Sequence, residues 1–301
     1  MPLLLICIIL FVAINHFRTS VVILLNPFST FLHTECLQMI PKKAQAAQEL
    51  SALVCGQNFL TADSSYIYSR TGLIHLFVVS GAHLVLLDTI LKLLLIRKFF
   101  IRIPILALYC CCCSLNAPVV RSWFVLLITG LFLKSVKKGF KSQLLFFVGL
   151  ICLCFNPSWT TSLSFQLSWL IALGILINQQ IFPDSPLLQK QTSYFLVVAP
   201  TIATFQSYSP ISILLNIIFA PILEFILFPL SLVTVLIHPI YPLFDFFIWT
   251  LKSVLFYSEV KSHQVITNFD QSIFLINWVL IFLIHLVLHF HQILKLRKIY
   301  D

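Results

Sequence analysis

Residues 211–236 read ISILLNIIFAPILEFILFPLSLVTVL, an apolar run with one charged residue, Glu224. A bilayer core about 30 Å thick asks for ~20 residues of helix, so this run is long enough to cross it. Similar apolar runs recur along the chain between short polar or proline-containing connections. They are continuously apolar and do not alternate with a period of two, which favours helices. We therefore predict an all-α fold, a polytopic transmembrane helical bundle.

The composition of the whole chain agrees with this interpretation. Of the 301 residues, 59% are hydrophobic, 10% are charged and 29 are Phe, whereas a soluble domain carries about 25% charged residues. The sequence therefore excludes a soluble protein of this size. The nine cysteines include the run Cys110 to Cys113, and none has the spacing of a zinc site or a disulfide framework. We expect them to fill apolar space, and we predict no metal or other cofactor.

The apolar runs predict about ten spans, of which the first is expected to be a retained anchor helix at residues 1–17. The spans centre on residues 3–17, 73–95, 103–116, 119–133, 142–155, 163–178, 194–207, 211–236, 240–257 and 273–292.

The net charge is +9, and its distribution along the chain predicts an orientation. With ten alternating spans, eleven basic residues share one face: Arg97, Lys98, Arg102, Lys134, Lys137, Lys138, Lys141, Lys190, Lys295, Arg297 and Lys298. By the positive-inside rule that face is cytoplasmic. Both termini are then expected inside, and segment 18–72 outside. Most of the positive charge is thereby explained by topology and is not a sign of nucleic-acid binding.

Segment 18–72 is the one sizeable stretch that is not expected to span. Between Leu37 and Val54 apolar residues recur at intervals of three and four, with polar residues between them, and Pro41 suits a first helical turn. This pattern predicts one interfacial amphipathic helix on the membrane surface, with packing against the bundle as an equal alternative. No second domain is visible, so 1–301 is predicted to be a single membrane domain.

Polar residues inside apolar runs are informative, because each is costly in lipid unless it faces a partner or a watery cavity. In the run from Gly72 to Lys92, one arc of a helix holds His75, Ser80 and His83, and another holds Gly81, Asp88 and Lys92. The helix should lie centrally or break near Ser80 and Gly81. Asp88 and Lys92 are an i, i+4 pair expected to neutralise each other. The serine and histidines either line a polar passage or satisfy one another.

Further polar positions allow similar alternatives. Arg121 lies just inside a span after Pro118, where it either snorkels to the interface or binds an anion such as a phosphate. Gln166 and Asn216 can bridge helices by hydrogen bonds. Pro221 and Pro229 should kink the longest span.

Signals for chemistry are weak. His285 and His289 are spaced i, i+4 without a carboxylate or thiolate nearby, and we expect interfacial histidines. Ser80 and His83 could form a nucleophile and base on adjacent turns, but the pair alone is a weak indication of an intramembrane hydrolase.

Five motifs, in order, resemble the competence domain of the ComEC family, the bacterial inner-membrane channel for transforming DNA. Thr71-Gly72-Leu73-Ile74-His75-Leu76-Phe77-Val78-Val79-Ser80-Gly81-Ala82-His83 is similar to the family's G-L-x-H-L-L-A-x-S-G-L-H signature. Ala82, Phe77 and Val78 depart from it. The stretches 50–56, 118–122, 164–168 and 215–221 resemble its A-L-L-L-G, P-x-x-R-A, G-F-Q-L-S and N-L-L-x-x-P motifs.

The resemblance implies a channel subunit for uptake of single-stranded DNA into the cytoplasm, located in the bacterial inner membrane and not an enzyme. It implies a channel core at 73–235, followed by C-terminal spans at 236–301. The residues at matching positions are expected to line the DNA passage: His75, Ser80, Gly81, His83, Arg121, Gln166, Ser168, Asn216 and Pro221. Expected partners are single-stranded DNA, the lipid bilayer, and a separate DNA receptor, nuclease and ATP-driven motor. Assembly of the chain into a homo-oligomer is a further possibility that the resemblance leaves undecided.

Typical members of this family also carry an OB-like domain and a metallo-β-lactamase-like domain, and neither is expected here. Segment 18–72 is too short for an OB fold, and no H-x-H-x-D-H motif occurs. The alternatives to transport are a degenerate or scaffold relative, and an intramembrane hydrolase.

Overall fold

The structure is a computed structural model that describes residues 25–57, 66–68, 71, 73–77, 79–94, 96–132, 141–202, 210–257 and 272–300. Within these residues the regular elements are all helices, as the sequence predicts.

The helices are numbered here in chain order. They are residues 25–38 (α1), Ala47–Cys55 (α2), Ile74–Phe77 (α3), Gly81–Leu93 (α4), Phe99–Cys112 (α5), Ala117–Phe132 (α6), Lys141–Phe155 (α7), Leu163–Gln180 (α8), Leu187–Ile202 (α9), Pro210–Ile222 (α10), Phe228–Leu236 (α11), Tyr241–Tyr257 (α12) and Ser272–Tyr300 (α13). A 3-10 turn, Pro157–Thr161, precedes α8, and a π-helical turn, Leu223–Leu227, joins α10 to α11.

Within the described residues, three stretches are long and apolar enough to cross a membrane: Leu214–Leu236, His238–Tyr257 and Ser272–Gln292. The helices Phe99–Cys112, Ala117–Leu131 and Lys141–Phe155 are apolar but shorter, as expected for runs that neighbouring helices shield at their ends. The described residues of the predicted spans from 103–116 onward fall mostly on helices, while the total of ten stays a prediction. The predicted span at 3–17 lies outside the described residues.

Hydrogen bonds between side chains near the helix ends show that α7 runs antiparallel to α8 and to α13. Lys141 Nζ lies 3.3 Å from Gln179 Oε1, which places the start of α7 beside the end of α8. Gln143 donates to Gln292 Oε1 at 2.8 Å, so the later part of α13 lies at the same end. We call this the basic end. The basic residues at this end include Lys92, Arg97, Lys98, Arg102, Lys141 and Lys190.

The buried apolar residues that the structure describes form two cores. The first is built by α4 to α9 with α13, and includes Leu84, Trp169 and Ile281. The second is built by α1, α2, α3 and α10 to α12. Phe77 belongs to the second core and Val79 to the first, so the chain passes from one core to the other in the non-helical step between α3 and α4.

The predicted amphipathic helix is two helices in the structure. α1 ends at residue 38, residues 39–46 form turns, and α2 starts at Ala47. Seven of the nine residues of α2 are buried within the protein, from Glu49 to Cys55. α2 packs against α3 and α11. The structure therefore agrees with the alternative of packing, because the apolar periodicity is satisfied by protein.

The prediction for the cysteines is wrong at two positions. Cys36 and Cys55 form a disulfide with Cα atoms 5.9 Å apart, which ties the end of α1 to the end of α2. The six other described cysteines are free and buried or half-buried, as expected. Cys113 Sγ lies 3.7 Å from the Val54 carbonyl oxygen, so the end of α5 borders this bridge. We call this side of the molecule the disulfide end.

Charged residues fix α2 against α12. The Asp245 carboxylate accepts from the backbone N–H groups of Gln45 and Ala46 at 3.0 and 2.9 Å. Lys252 Nζ lies 2.5 Å from Glu49 Oε1, and the Tyr68 hydroxyl donates to the same oxygen at 3.2 Å. Burial and the adjacent Glu49 carboxylate raise the pKa of Tyr68, so its hydroxyl stays protonated and donates. The Asp245 carboxylate is thus satisfied by backbone N–H groups, and the Glu49 carboxylate by Lys252 and Tyr68.

We predict that Cys36→Ser lowers the free energy of unfolding by about 3 kcal/mol, because a disulfide closing a loop of this length restricts the unfolded chain by about that amount. Thermal unfolding of the purified protein in detergent measures the change. Cys112→Ser is the matched control, a half-buried free cysteine in the same region, and should leave the midpoint unchanged. Equal stability of both variants and the parent would contradict the assignment of a Cys36–Cys55 disulfide.

Candidate functional site

The break between α3 and α4 is held by a side-chain cap. The Ser80 hydroxyl oxygen accepts from the Ala82 N–H at 3.2 Å, and the Ser80 N–H donates to His83 Nδ1 at 3.0 Å. These reciprocal bonds form a capping box and satisfy backbone donors that the start of a helix leaves open. The sequence-based alternative of a break near Ser80 and Gly81 is therefore confirmed.

His83 lies behind this cap in an aromatic setting. Its ring stacks on Phe228 with centroids 4.5 Å apart, and Tyr109 contacts the same phenyl ring edge-on at 6.5 Å. His83 is 1% exposed, and its Nε2 atom has no hydrogen-bond partner among the described residues. Because Nδ1 accepts from Ser80, the neutral ring carries its proton on Nε2. A buried N–H donor is therefore left open at the break.

The opposing element is also irregular. α4 packs against the π-helical turn Leu223–Leu227, which lies between Pro221 and Pro229. Each proline lacks an N–H and so leaves a carbonyl one turn earlier without its helical partner. The predicted kink of this span takes the form of a π turn, and such turns occur often at functional sites. Two interrupted helices thus meet around His83 and Phe228.

Arg121 joins this region from α6. A Cβ atom at Gly81 would overlap the Ser122 side chain, so α4 and α6 approach closely at the residue next to Arg121. Arg121 is 7% exposed, and its Nε donates to Ser168 Oγ of α8 at 3.0 Å. Among the described residues no carboxylate pairs with this guanidinium. Burial to this degree disagrees with the snorkelling alternative.

Gln166, by contrast, belongs to a saturated network in the first core. Its Nε2 donates to the carbonyl oxygens of Thr160 and Phe274 at 3.0 and 3.2 Å. Its Oε1 accepts from Asn277 Nδ2 at 2.8 Å, and Asn277 Oδ1 accepts from Thr201. Gln166 therefore bridges α8, α9 and α13, which is the helix-bridging use of an amide. Its predicted role in lining a passage stays a prediction.

The remaining predicted residues are placed as follows. Asn216 is half-buried in α10, and Pro221 is exposed in the last turn of the same helix. His75 lies in α3, and its side chain is outside the described residues. The structure thus brings Ser80, Gly81, His83, Arg121 and Ser168 to one region, and places Gln166 in a separate network.

The predicted neutralisation of Asp88 is confirmed and extended. Lys92 Nζ lies 2.5 Å from Asp88 Oδ2, and Arg102 Nε lies 2.6 Å from Oδ1. The Arg102 contact was not predicted, because it joins α5 to α4 across a connection. Phe228 and Asn277 were missed as well. Asn277 is a lone amide in an apolar run, which is a usable signal, whereas nothing local distinguishes Phe228 from the other phenylalanines.

The same geometry does not form a nucleophile and base from Ser80 and His83. The two side chains are 3.5 Å apart at Oγ and Nδ1, but the Nδ1 lone pair already accepts the Ser80 N–H. A base must have a free lone pair within reach of the proton it removes. This pair therefore acts as a helix cap.

The fold and this site define a helical, membrane-type protein with interrupted helices at its centre. The family model for competence proteins matches residues 53–296, so the chain belongs to the ComEC-type competence protein family. An uncharacterized protein from Aquifex aeolicus (strain VF5) is 33% identical over 188 residues, which cover 60% of this chain and 46% of that protein. The chain therefore spans less than half the length of this curated relative. No solved structure matches the chain of this protein.

We predict that Gly81→Ala destabilises the protein by about 1–3 kcal/mol, because the new methyl group overlaps the Ser122 side chain. Ser122→Ala in the same chain should restore most of the loss, and thermal unfolding in detergent measures both. Gly174→Ala is the control, since its Cβ would lie 3.4 Å from Tyr194, an ordinary contact. Loss of stability without rescue by Ser122→Ala would show that α4 and α6 do not meet there.

Proposed function

We propose that this competence protein forms part of the passage through which single-stranded transforming DNA crosses the bacterial inner membrane. The observation that carries the proposal is the position of Arg121, a buried cation without a described carboxylate partner, beside the break between α3 and α4. The function is transport and not chemistry.

Arg121 suits a phosphodiester in transit. A guanidinium has five N–H donors, and among the described residues only Nε has an acceptor, the Ser168 hydroxyl. An uncompensated buried charge is costly, so a passing phosphate would supply both the charge and the acceptors that the protein leaves open. One arginine contacts one phosphate at a time, which allows a strand to move past it.

The break itself is a second supporting feature. In membrane transporters, interrupted helices place backbone groups and the positive ends of helix dipoles near the middle of the bilayer, where they contact anionic substrates. α4 begins at such an interruption, with the open Nε2 donor of His83 behind its cap. His83 and Arg121 thus offer donors to an anion from two adjacent helices.

The orientation is proposed from two separate features. The described basic residues near the starts of α5 and α7 lie at one end of the helices, and the positive-inside rule makes that end cytoplasmic. The Cys36–Cys55 disulfide lies at the other end, and structural disulfides persist in oxidising compartments outside the cytoplasm. DNA would enter at the disulfide end and leave at the basic end.

The energy and the substrate must come from other proteins. We propose a DNA receptor outside the membrane, a nuclease that supplies the single strand and an ATP-driven motor at the basic end. The bilayer surrounds the chain, and assembly into a homo-oligomer is compatible with this role.

The test is uptake of labelled DNA and transformation frequency in a naturally transformable strain from which the gene is deleted. We expect both to fall at least a hundredfold on deletion and to return with the parent gene. Arg121→Gln, which can still donate to Ser168, should restore less than a tenth of this activity at normal protein levels, whereas Arg121→Lys should restore more.

The matched control is Arg97→Gln, an arginine at the basic end outside the site around His83, which should restore full activity. Unchanged uptake in the deletion strain would refute the function. Full activity of Arg121→Gln would remove Arg121 from the passage.

One observation favours a second candidate, a membrane scaffold without transport. His83 and Phe228 are both fully packed, and the ring stacking leaves no open channel between them in this state. A scaffold would keep this packing permanently, whereas a passage must open it. Arg121→Gln at normal protein levels distinguishes the two, because a scaffold does not need a cation at this position whereas the proposed passage does.

A further inference from the structure

A polar cavity of about 220 Å³ lies at the disulfide end, apart from the site around His83. Its polar lining comes from three asparagines, Asn26, Asn116 and Asn156, and three serines, Ser114, Ser162 and Ser164. No ionisable side chain is among its described lining residues. Drug-sized ligands occupy pockets of about 300–1,000 Å³, so this cavity suits one small, neutral, polar group.

Hydrogen bonds orient the Asn116 and Asn156 side chains that line the cavity, and they leave one polar atom of each amide without a described partner. Asn116 Nδ2 donates to the Gly56 carbonyl oxygen at 3.2 Å. Asn156 Oδ1 accepts from the backbone and hydroxyl of Ser158 at 3.2 and 2.7 Å. Among the described contacts, Asn116 Oδ1 and Asn156 Nδ2 have none. The cavity therefore offers both an acceptor and a donor at fixed positions.

Two neighbouring residues of the cavity lining have an uncommon backbone conformation. Ser114 and Leu115 both have φ in the left-handed region, 53° and 50°, which costs roughly 1–2 kcal/mol per non-glycine residue. The buried neighbours Cys113 and Ala117 hold the turn in place. The turn positions Asn116 directly before α6.

The cavity lies about one helical turn before Arg121 and Ser168 along α6 and α8. Ser164 of α8 lies one helical turn before Ser168, and Asn116 lies just over one turn before Arg121. At 1.5 Å per residue, Arg121 and Ser168 therefore lie about 6–8 Å deeper in the bundle than the cavity residues Asn116 and Ser164. A strand contacting the cavity could therefore reach the guanidinium with its next phosphate.

We propose that this cavity binds one base of the incoming single strand through its donor and acceptor edge, directly before Arg121 contacts the backbone. Base edges carry mixed donors and acceptors without charge, which matches the asparagine and serine lining. The identity of the ligand rests on the proposed function.

The experiment measures binding of two fluorescent 20-nucleotide strands to the purified full-length protein in detergent, by anisotropy. One strand carries ordinary bases, and the other consists of abasic sites. We expect the ordinary strand to bind at least tenfold more tightly. Equal binding of the two strands, or no binding of either, would overturn the proposal.

Ser164→Asp tests the location of the site. An acidic residue in the first turn of α8 is favourable for the helix, so the fold should keep its melting temperature, while the new charge in the cavity repels the strand. We expect at least tenfold weaker binding of the ordinary strand. Ser272→Asp is the matched control, at the first residue of α13 at the same end of the molecule and outside the cavity lining, and should bind as the parent does.

Unchanged binding by Ser164→Asp would overturn the location. If the cavity fails these tests while gene deletion still abolishes uptake, the inference falls and the proposed function remains. If the cavity binds bases while deletion leaves uptake unchanged, the proposed function falls instead.

Discussion

The structure depends on one helix break, the step from Phe77 to Gly81. Here the chain leaves one apolar core and enters the other, and the helix that would otherwise continue is broken. In an apolar interior the exposed backbone donors need partners, and the hydroxyl of Ser80 and the ring of His83 supply them. The cap fixes the His83 ring against Phe228, which places α4 on the π turn. The absence of a side chain at Gly81 then lets α6 approach and brings Arg121 to the same region.

Around this interruption, polar contacts fix the other helices. Gln166, Asn277 and Thr201 join three helices of the first core through bonds that use both ends of each amide. Asp88 joins α4 to α5 through Arg102. In these clusters the described partners compensate each charge or amide. Arg121 differs, because its charge is buried and its hydrogen-bond partner among the described residues is the neutral Ser168 hydroxyl. This contrast is the physical basis for assigning an anionic substrate to Arg121 and structural roles to the others.

The sequence predicts most helices because apolar runs and proline-containing connections are local features. It also indicates the break at Ser80, since a serine followed by a glycine weakens a helix and serine readily caps a new one. It does not predict the Cys36–Cys55 disulfide, because pairing depends on how two helices fold back on each other. The periodicity from Leu37 to Val54 predicts one helix, whereas turns at residues 39–46 divide it, and burial of α2 requires a partner that the pattern does not name. The partners of Gln166 and Asp88 come from distant segments for the same reason.

The most direct test of a DNA passage at the interrupted helix is site-specific photo-crosslinking during uptake. A photoreactive amino acid replaces Ala82 at the break, or Leu93 at the other end of α4, where the side chain is 76% exposed. Labelled DNA is then added to cells that still transform. The account predicts that DNA is crosslinked from position 82 and not from position 93. Crosslinking from position 93 alone, or from neither position in transforming cells, would contradict it.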